Sequence, residues 1–192
     1  MLTTKKIVIF ASGSGSNAEN IVKYFNNRED VEVTCILSNC KDAYVLERAK
    51  QLNIPSRVFS RQELYETDHI INLLHDLSTD LIVLAGFLWL VPNNIVKSFP
   101  NRIVNIHPAL LPKYGGKGMF GHHVHQAVID NHETESGITI HYVNDHYDKG
   151  DILFQARCKV EPNDSADDVA KKVHQLEYKH FPSVVEMVLS QM

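Results

Sequence analysis

The chain has little cysteine: three in 192 residues, Cys35, Cys40 and Cys158. They form neither a CxxC pair nor an even set, which argues against a disulfide framework and a cysteine-rich zinc site. Cys35 and Cys158 fall within strand-like runs and read as small core residues. No apolar run approaches the ~20 residues that a membrane span needs. Excess basic charge is also missing: 19 Lys and Arg stand against 23 Asp and Glu, a formal charge of −4. With a pI near 6.2, this argues against a dedicated nucleic-acid surface. Met1-Leu2-Thr3-Thr4-Lys5-Lys6 leads into a strand without the apolar core and cleavage site of a signal peptide. No internal repeat, low-complexity tract or linker-like stretch breaks the sequence. These absences predict a single soluble domain in a reducing, cytoplasmic compartment, acting on small molecules as a monomer or homodimer.

A composition of 44% hydrophobic and 22% charged residues is that of an ordinary globular protein with a substantial core. Short apolar runs alternate with stretches of helical periodicity. Residues 6–11 read as a strand, 12–16 as a glycine-rich loop and 17–24 as the start of a helix. Strands follow at 31–37 and 55–59, with a helix over 43–52 between them. One helix is expected over 62–77. Leu81 to Phe87 is the most apolar run and reads as a central parallel strand. Successive βα steps predict an α/β fold: a Rossmann-like, mainly parallel sheet with helices on both faces. The pattern then changes. Residues 137–143 and 152–160 predict an antiparallel pair appended to that sheet, joined by a turn holding Asp145, Asp148 and Gly150. A long final helix is expected from about 164 to 189, with Ser165 as its cap. Pro182 should kink or divide it.

Ser12-Gly13-Ser14-Gly15-Ser16-Asn17 lies between a strand and a helix. Glycines let a backbone approach a ligand closely, and the first N–H groups of a helix favour an anion. The frame Gly13-x-Gly15-x-x-Ala18 satisfies a loose dinucleotide fingerprint. That reading expects an acidic residue after the second strand to hold a ribose, where this chain has neutral Leu37-Ser38-Asn39. A phosphomonoester therefore fits better than a dinucleotide; a tight turn binding nothing is the plain alternative.

Asn105-Ile106-His107-Pro108 carries the chemistry. Asn105 and His107 alternate along a strand-like segment, so period two places both side chains on one face. Pro108 cannot continue the ladder, which puts His107 at the strand's carboxyl end, where open α/β sheets bind ligands. With Asp148 in the downstream turn, the chain holds an amide, an imidazole and a carboxylate, the parts needed to carry an acyl group through a tetrahedral intermediate. In that chemistry Asn105 donates to the oxyanion and a protonated His107 assists before protonating the leaving group. Asp148 raises the imidazole's pKa and accepts a proton.

With these motifs the chain resembles the phosphoribosylglycinamide formyltransferases, folate-dependent enzymes of purine biosynthesis. The resemblance covers nearly the whole length: Ser-Gly-x-Gly-Ser-Asn at 12–17, Leu-Ala-Gly-Phe at 84–87, Asn-Ile-His-Pro-x-Leu-Leu-Pro-Lys at 105–113, and the Asp148 turn. It implies the formyltransferase fold as one domain over residues 1–192. Roughly 1–100 would form a phosphate-binding half and 101–192 a catalytic and folate-binding half. It implies 10-formyltetrahydrofolate as co-substrate, glycinamide ribonucleotide as acceptor, and no metal. Catalysis would fall to Asn105, His107 and Asp148. The substrate phosphate would sit on Gly15, Ser16 and Asn17, and the glycinamide part on His174, Gln175, Leu176 and Glu177. Folate would lie against Leu88, Trp89, Leu90 and Val91, with Asn105, the turn Asn144, Asp145, His146, Tyr147 and Asp148, and Arg61.

Two departures stand out. After Pro112-Lys113-Tyr114 the family commonly has a compact Pro-Gly-x-His-x-His, where this chain has a longer glycine-rich stretch, Gly115 to His125. Trp89 stands where many relatives carry a basic residue. His122, His123 and His125 cluster without an HExxH or a cysteine partner set, so they read as solvated loop residues rather than zinc ligands. A formyltetrahydrofolate hydrolase or a methionyl-tRNA formyltransferase would share the His-Pro segment but bring an extra domain. A non-catalytic nucleotide-binding module would explain the loop and leave Asn105, His107 and Asp148 without a role.

Overall fold

The structure, a computed structural model, describes residues 4–192; the first three residues of the amino-terminal segment discussed above lie outside them. The first half runs β1 (Lys5–Phe10), α1 (Ser16–Phe25), β2 (Val31–Ser38), α2 (Tyr44–Gln51), β3 (Ser56–Val58), α3 (Arg61–Tyr65), α4 (His69–Asp76) and β4 (Leu81–Leu84). The second runs α5 (Asn93–Ser98), β5 (Ile103–His107), α6 (His122–Asp130), β6 (Glu135–Tyr142), β7 (Ile152–Lys159) and α7 (Ala166–Ser190). They build a seven-stranded sheet in the order β3-β2-β1-β4-β5-β6-β7. The first five strands in that order pair in parallel, and β6 and β7 are antiparallel. The mainly parallel sheet with its antiparallel extension is the architecture that the alternation of patterns predicts.

Strand alternation divides the core into two layers. Ile7, Ile9, Val83, Val104 and Ile106 pack under α1, α2, α6 and α7. Val8, Phe10, Ile82, Leu84 and Ile103 pack on the other face under α3, α4 and α5. That second helical layer stops short of β6 and β7, so loops cover the sheet there. Thr139 on β6 accepts from the N–H of Leu111 at 3.0 Å and donates to the carbonyl of Ala109 at 2.7 Å. A sheet face covered by loops admits polar side chains, because loop backbone supplies their partners.

Three local expectations change. The helix expected over 62–77 is two, α3 and α4. Ser60 caps α3 with a full capping box, and Thr67 Oγ1 accepts from the N–H of His69, starting a new helix instead of continuing the old one. Pro182 does not divide α7, which runs unbroken from Ala166 to Ser190 with Pro182 buried. Tertiary packing of Phe181, Val184 and Val185 on the sheet offsets the missing hydrogen bond. Finally, α6 begins at His122, inside the stretch read as loop, and α5 forms where no element was read. The cap at Ser165 forms as expected, with Asp168 completing its box. Among the described residues no helix is long and apolar enough to cross a membrane.

Candidate active site

A cavity of about 720 Å³ opens at the carboxyl ends of β1, β4 and β5. Its amino-terminal wall is Gly13 to Asn17 and its far wall includes Asn105, His107, Tyr147 and Asp148. Leu88 lies between them, and His125, His174 and Glu177 close the α6–α7 side.

The β1–α1 loop is held by its neighbours. The Gly13 carbonyl accepts from Val45 N at 3.1 Å and the Ser12 N–H donates to the Gly86 carbonyl at 3.0 Å. Ser12 Oγ donates to Asn39 and accepts from the N–H of Leu88. Gly15 has φ 75° and stands immediately before α1, so it is in the left-handed region that favours glycine. A Cβ there would lie 2.3 Å from Val45 Cγ2, so side-chain bulk is excluded as well. The first residues of α1 line the cavity, and the free N–H groups of a helix's first turn suit an anion. Behind them Asn17 donates to Glu177 at 2.9 Å, and His174 Nδ1 meets the same carboxylate oxygen at 2.9 Å. Hydrogen bonding to Glu177 raises the pKa of His174.

At the far wall, β5 and β6 are paired so that Asn105 lies opposite His141 and His107 opposite Thr139. Opposed residues of an antiparallel pair share a face, so the asparagine and both histidines converge. Asp148 reaches them from the β6–β7 turn with φ 53°. Its Oδ2 accepts from the N–H of Gly116 at 2.8 Å and lies 3.6 Å from His107 Nδ1. Its Oδ1 lies 3.6 Å from His141 Nε2 and 3.5 Å from Asn105 Nδ2.

Partners assign the ring protons. His107 Nε2 is 2.7 Å from the carbonyl of Tyr114; a carbonyl only accepts, so Nε2 carries hydrogen and Nδ1 faces Asp148. The same reasoning places hydrogen on His141 Nδ1, 2.7 Å from the Tyr142 carbonyl. His141 Nε2 lies 3.1 Å from Asn105 Nδ2. Burial is the largest influence on His107 and lowers its pKa; the Asp148 charge and the Tyr114 carbonyl pull it up without overcoming burial. The Asp148 charge thus raises the imidazole's pKa as expected, while burial turns the net shift downward. Burial also pushes the Asp148 carboxyl upward, but His141, His107 and the Gly116 N–H outweigh it and the net shift is downward. Asp148 stays ionised at neutral pH.

The remaining residues singled out by sequence are divided. Ser16, Asn17, His174 and Glu177 line the cavity with Gly15, whereas Gln175 is exposed and Leu176 packs on the core. Leu88 and Tyr147 line it too. Val91 is buried under the sheet, and Trp89 packs edge-on to Phe59 and Phe87. Arg61 lies over the rings of Tyr65 and Trp89, at 4.8 and 5.6 Å. The Leu90 carbonyl accepts from Tyr65. Asn144 caps the turn by accepting from the N–H of His146, while Asp145 and His146 pair in solvent. Two histidines at the candidate site escaped the sequence reading. His141 sits in a strand whose other face is Ile138 and Ile140, and its buried neighbour Thr139 was the available signal of a polar face. His125 is a buried residue of α6 on the cavity wall, not a solvated loop residue, and burial lowers its pKa to about 4. Among the described residues no group of three or more His, Cys, Asp or Glu side chains is arranged to hold a metal.

Comparison with known proteins identifies the family. The formyl transferase family model matches residues 5–185. The phosphoribosylglycinamide formyltransferase of Haemophilus influenzae is 37% identical over 187 residues, covering 95% of this chain and 86% of the relative. The chain belongs to the phosphoribosylglycinamide formyltransferase family. The chloroplastic enzyme of Arabidopsis thaliana is 39% identical, covering 94% of this chain and 64% of that longer relative. Among solved structures, the phosphoribosylglycinamide formyltransferase of Anaplasma phagocytophilum superposes with a TM-score of 0.88 at 31% identity, covering 97% of this chain and 87% of that one. The enzyme of Bacillus halodurans gives 0.87 at 31% identity, covering 97% and 96%. The activity that goes with this family is formylation of glycinamide ribonucleotide in purine biosynthesis, with a formyl-folate as donor.

Proposed function

We propose that Asn105, His107 and Asp148 carry the transfer of the formyl group from 10-formyltetrahydrofolate to the primary amine of glycinamide ribonucleotide. The observation that carries this reading is their convergence at one end of a cavity whose other end is the amino terminus of α1, which suits an anion. Gly15, Ser16 and Asn17 would hold the phosphate of the ribonucleotide, with His174 and Glu177 beside it. Leu88, Tyr147 and the backbone of the β6–β7 turn would hold the folate's flat ring system, which suits an apolar slot with polar edges.

Attack by the amine forms the new C–N bond and puts negative charge on the formyl oxygen. The second N–H of Asn105, long at 3.5 Å to Asp148, is free to shorten onto that oxyanion; such a donor is worth about 3 kcal/mol. The neutral His107 accepts the amine's proton at Nδ1. The resulting imidazolium lies between the Tyr114 carbonyl on one nitrogen and the Asp148 carboxylate on the other, which stabilises it while it exists. His107 then returns the proton to the folate nitrogen as its bond to the formyl carbon breaks, so one proton leaves the acceptor and one reaches the leaving group. This reading keeps the phosphate loop in the half over roughly 1–100 and the catalytic residues in the half over 101–192, with Leu88, His174 and Glu177 crossing that division.

Incubation with glycinamide ribonucleotide and a 10-formylfolate, followed by folate absorbance, tests the reading. Deformylation that requires the ribonucleotide supports it. Formate release at the same rate without the ribonucleotide contradicts it and indicates a hydrolase.

A further inference from the structure

The short segment Tyr114-Gly115-Gly116 touches both members of the His107–Asp148 pair. The Tyr114 carbonyl takes the Nε2–H of His107 at 2.7 Å, and the Gly116 N–H donates to Asp148 Oδ2 at 2.8 Å. Gly115, between them, is packed tightly: a Cβ there would lie 2.5 Å from Leu111 Cδ2 and 3.3 Å from Asp148 Cβ. Tyr114 itself holds φ 56°, a conformation a tyrosine adopts only under constraint from its surroundings. That constraint is visible. The Tyr114 hydroxyl donates to Glu133 Oε1 at 2.9 Å, and Lys113 Nζ reaches both oxygens of the same carboxylate, at 2.8 and 3.1 Å. Glu133 stands between α6 and β6, so the bond fastens residue 114 to the far end of the whole 115–132 excursion.

We infer that Tyr114 is a positioning residue for the transfer, with Glu133 as its anchor. Tied to Glu133, it presents its carbonyl to His107, which fixes the Nε2–H tautomer and leaves Nδ1 as the base. The same segment, through Gly116, sets where Asp148 stands relative to that nitrogen. This rests on the assignment of His107 and Asp148 as catalytic residues, and it assigns a function to a side chain that never reaches the cavity.

The test pairs a structural readout with a kinetic one. Nitrogen-15 spectra of the histidine rings report the His107 tautomer without substrate present. Wild type should show a protonated Nε2 and an unprotonated Nδ1. Tyr114→Phe keeps the ring but loses the tether, so the spectrum should show mixed tautomers. In the same protein kcat should fall roughly ten- to hundredfold, the scale for a small misplacement of reacting groups, with the KM of both substrates little changed. Glu133→Ala should reproduce this, and Glu133→Gln, which still accepts from the phenol, should restore both readouts. A tautomer and kcat that match wild type in Tyr114→Phe and Glu133→Ala overturn the inference. Mixed tautomers with an unchanged kcat support the positioning by Tyr114 and overturn the catalytic role of His107. Should Tyr114→Phe fold poorly, the Glu133→Ala and Glu133→Gln comparison decides alone.

Discussion

At its amino-terminal end the cavity is walled by backbone: the loop from Gly13 to Asn17, locked by hydrogen bonds to Val45, Gly86 and Leu88, offers the N–H groups of α1. At the other end it is walled by side chains that arrive from β5 and the β6–β7 turn, with His141 of β6 beside Asn105 and Asp148. The first wall is backbone shaped by two glycines and held by hydrogen bonds from elements distant in the chain. The second depends on antiparallel register and on the loop that follows His107. The difference teaches which part of a site needs only its backbone fixed and which needs particular side chains brought together. An anion needs only donors fixed in place, whereas proton transfer needs a ring whose tautomer and neighbours are specified.

Removing the side-chain wall's chemistry should have the largest effect. His107→Asn and Asp148→Asn are each expected to lower kcat by roughly two to four orders of magnitude, the range for positioned acid–base groups. The double variant should be little worse than either alone, because the two act on one proton; single-turnover rates of the four proteins check this. The backbone wall breaks differently. Gly15→Ala forces a Cβ within 2.3 Å of Val45 Cγ2 at φ 75°. The expected result is a rise of about tenfold or more in the ribonucleotide KM, about 1.4 kcal/mol, with folate affinity retained, read by calorimetric titration of each ligand.

The smallest effect concerns stability on the α6–α7 side. His125 titrates at about 4 in the fold against an ordinary 6.5. Between those values the unfolded chain binds a proton that the folded chain does not, so this contribution to stability is lost as pH falls from 6.5 toward 4. At ~1.4 kcal/mol per unit the loss is at most about 3 kcal/mol. His174, raised by Glu177, contributes with the opposite sign: its stabilisation is present at low pH and is lost as pH rises through its folded pKa. Comparing His125→Phe with wild type isolates the first contribution: denaturant midpoints measured from pH 7 to 4 should fall less steeply in the variant.

The contrast also explains what could be read from the sequence. The glycine loop, the parallel strands and the Asn105-x-His107 alternation are local patterns, and the structure has them. His141 is legible only once β6 is placed beside β5 in register, since Asn105 and His141 are opposed across the ladder and far apart in the chain. His125 read as a loop residue because its glycine-rich approach hides the start of α6 at His122. The break between α3 and α4 turns on the Ser60 and Thr67 side chains bonding to backbone, a contest with the helix that apolar periodicity does not reveal. The downward pull on the His107 pKa is equally illegible in sequence, because spacing shows the nearby carboxylate but not the burial.

Titration of the His107 ring by nuclear magnetic resonance, in wild type and in Asp148→Asn, tests the account at its centre. The account predicts a ring that is neutral at pH 7, protonated at Nε2, with a midpoint below the ordinary 6.5 of histidine. Its midpoint should fall further in Asp148→Asn, because the charge that stabilises the imidazolium has gone. A wild-type midpoint above 6.5, or one that does not move when Asp148 loses its charge, would contradict it.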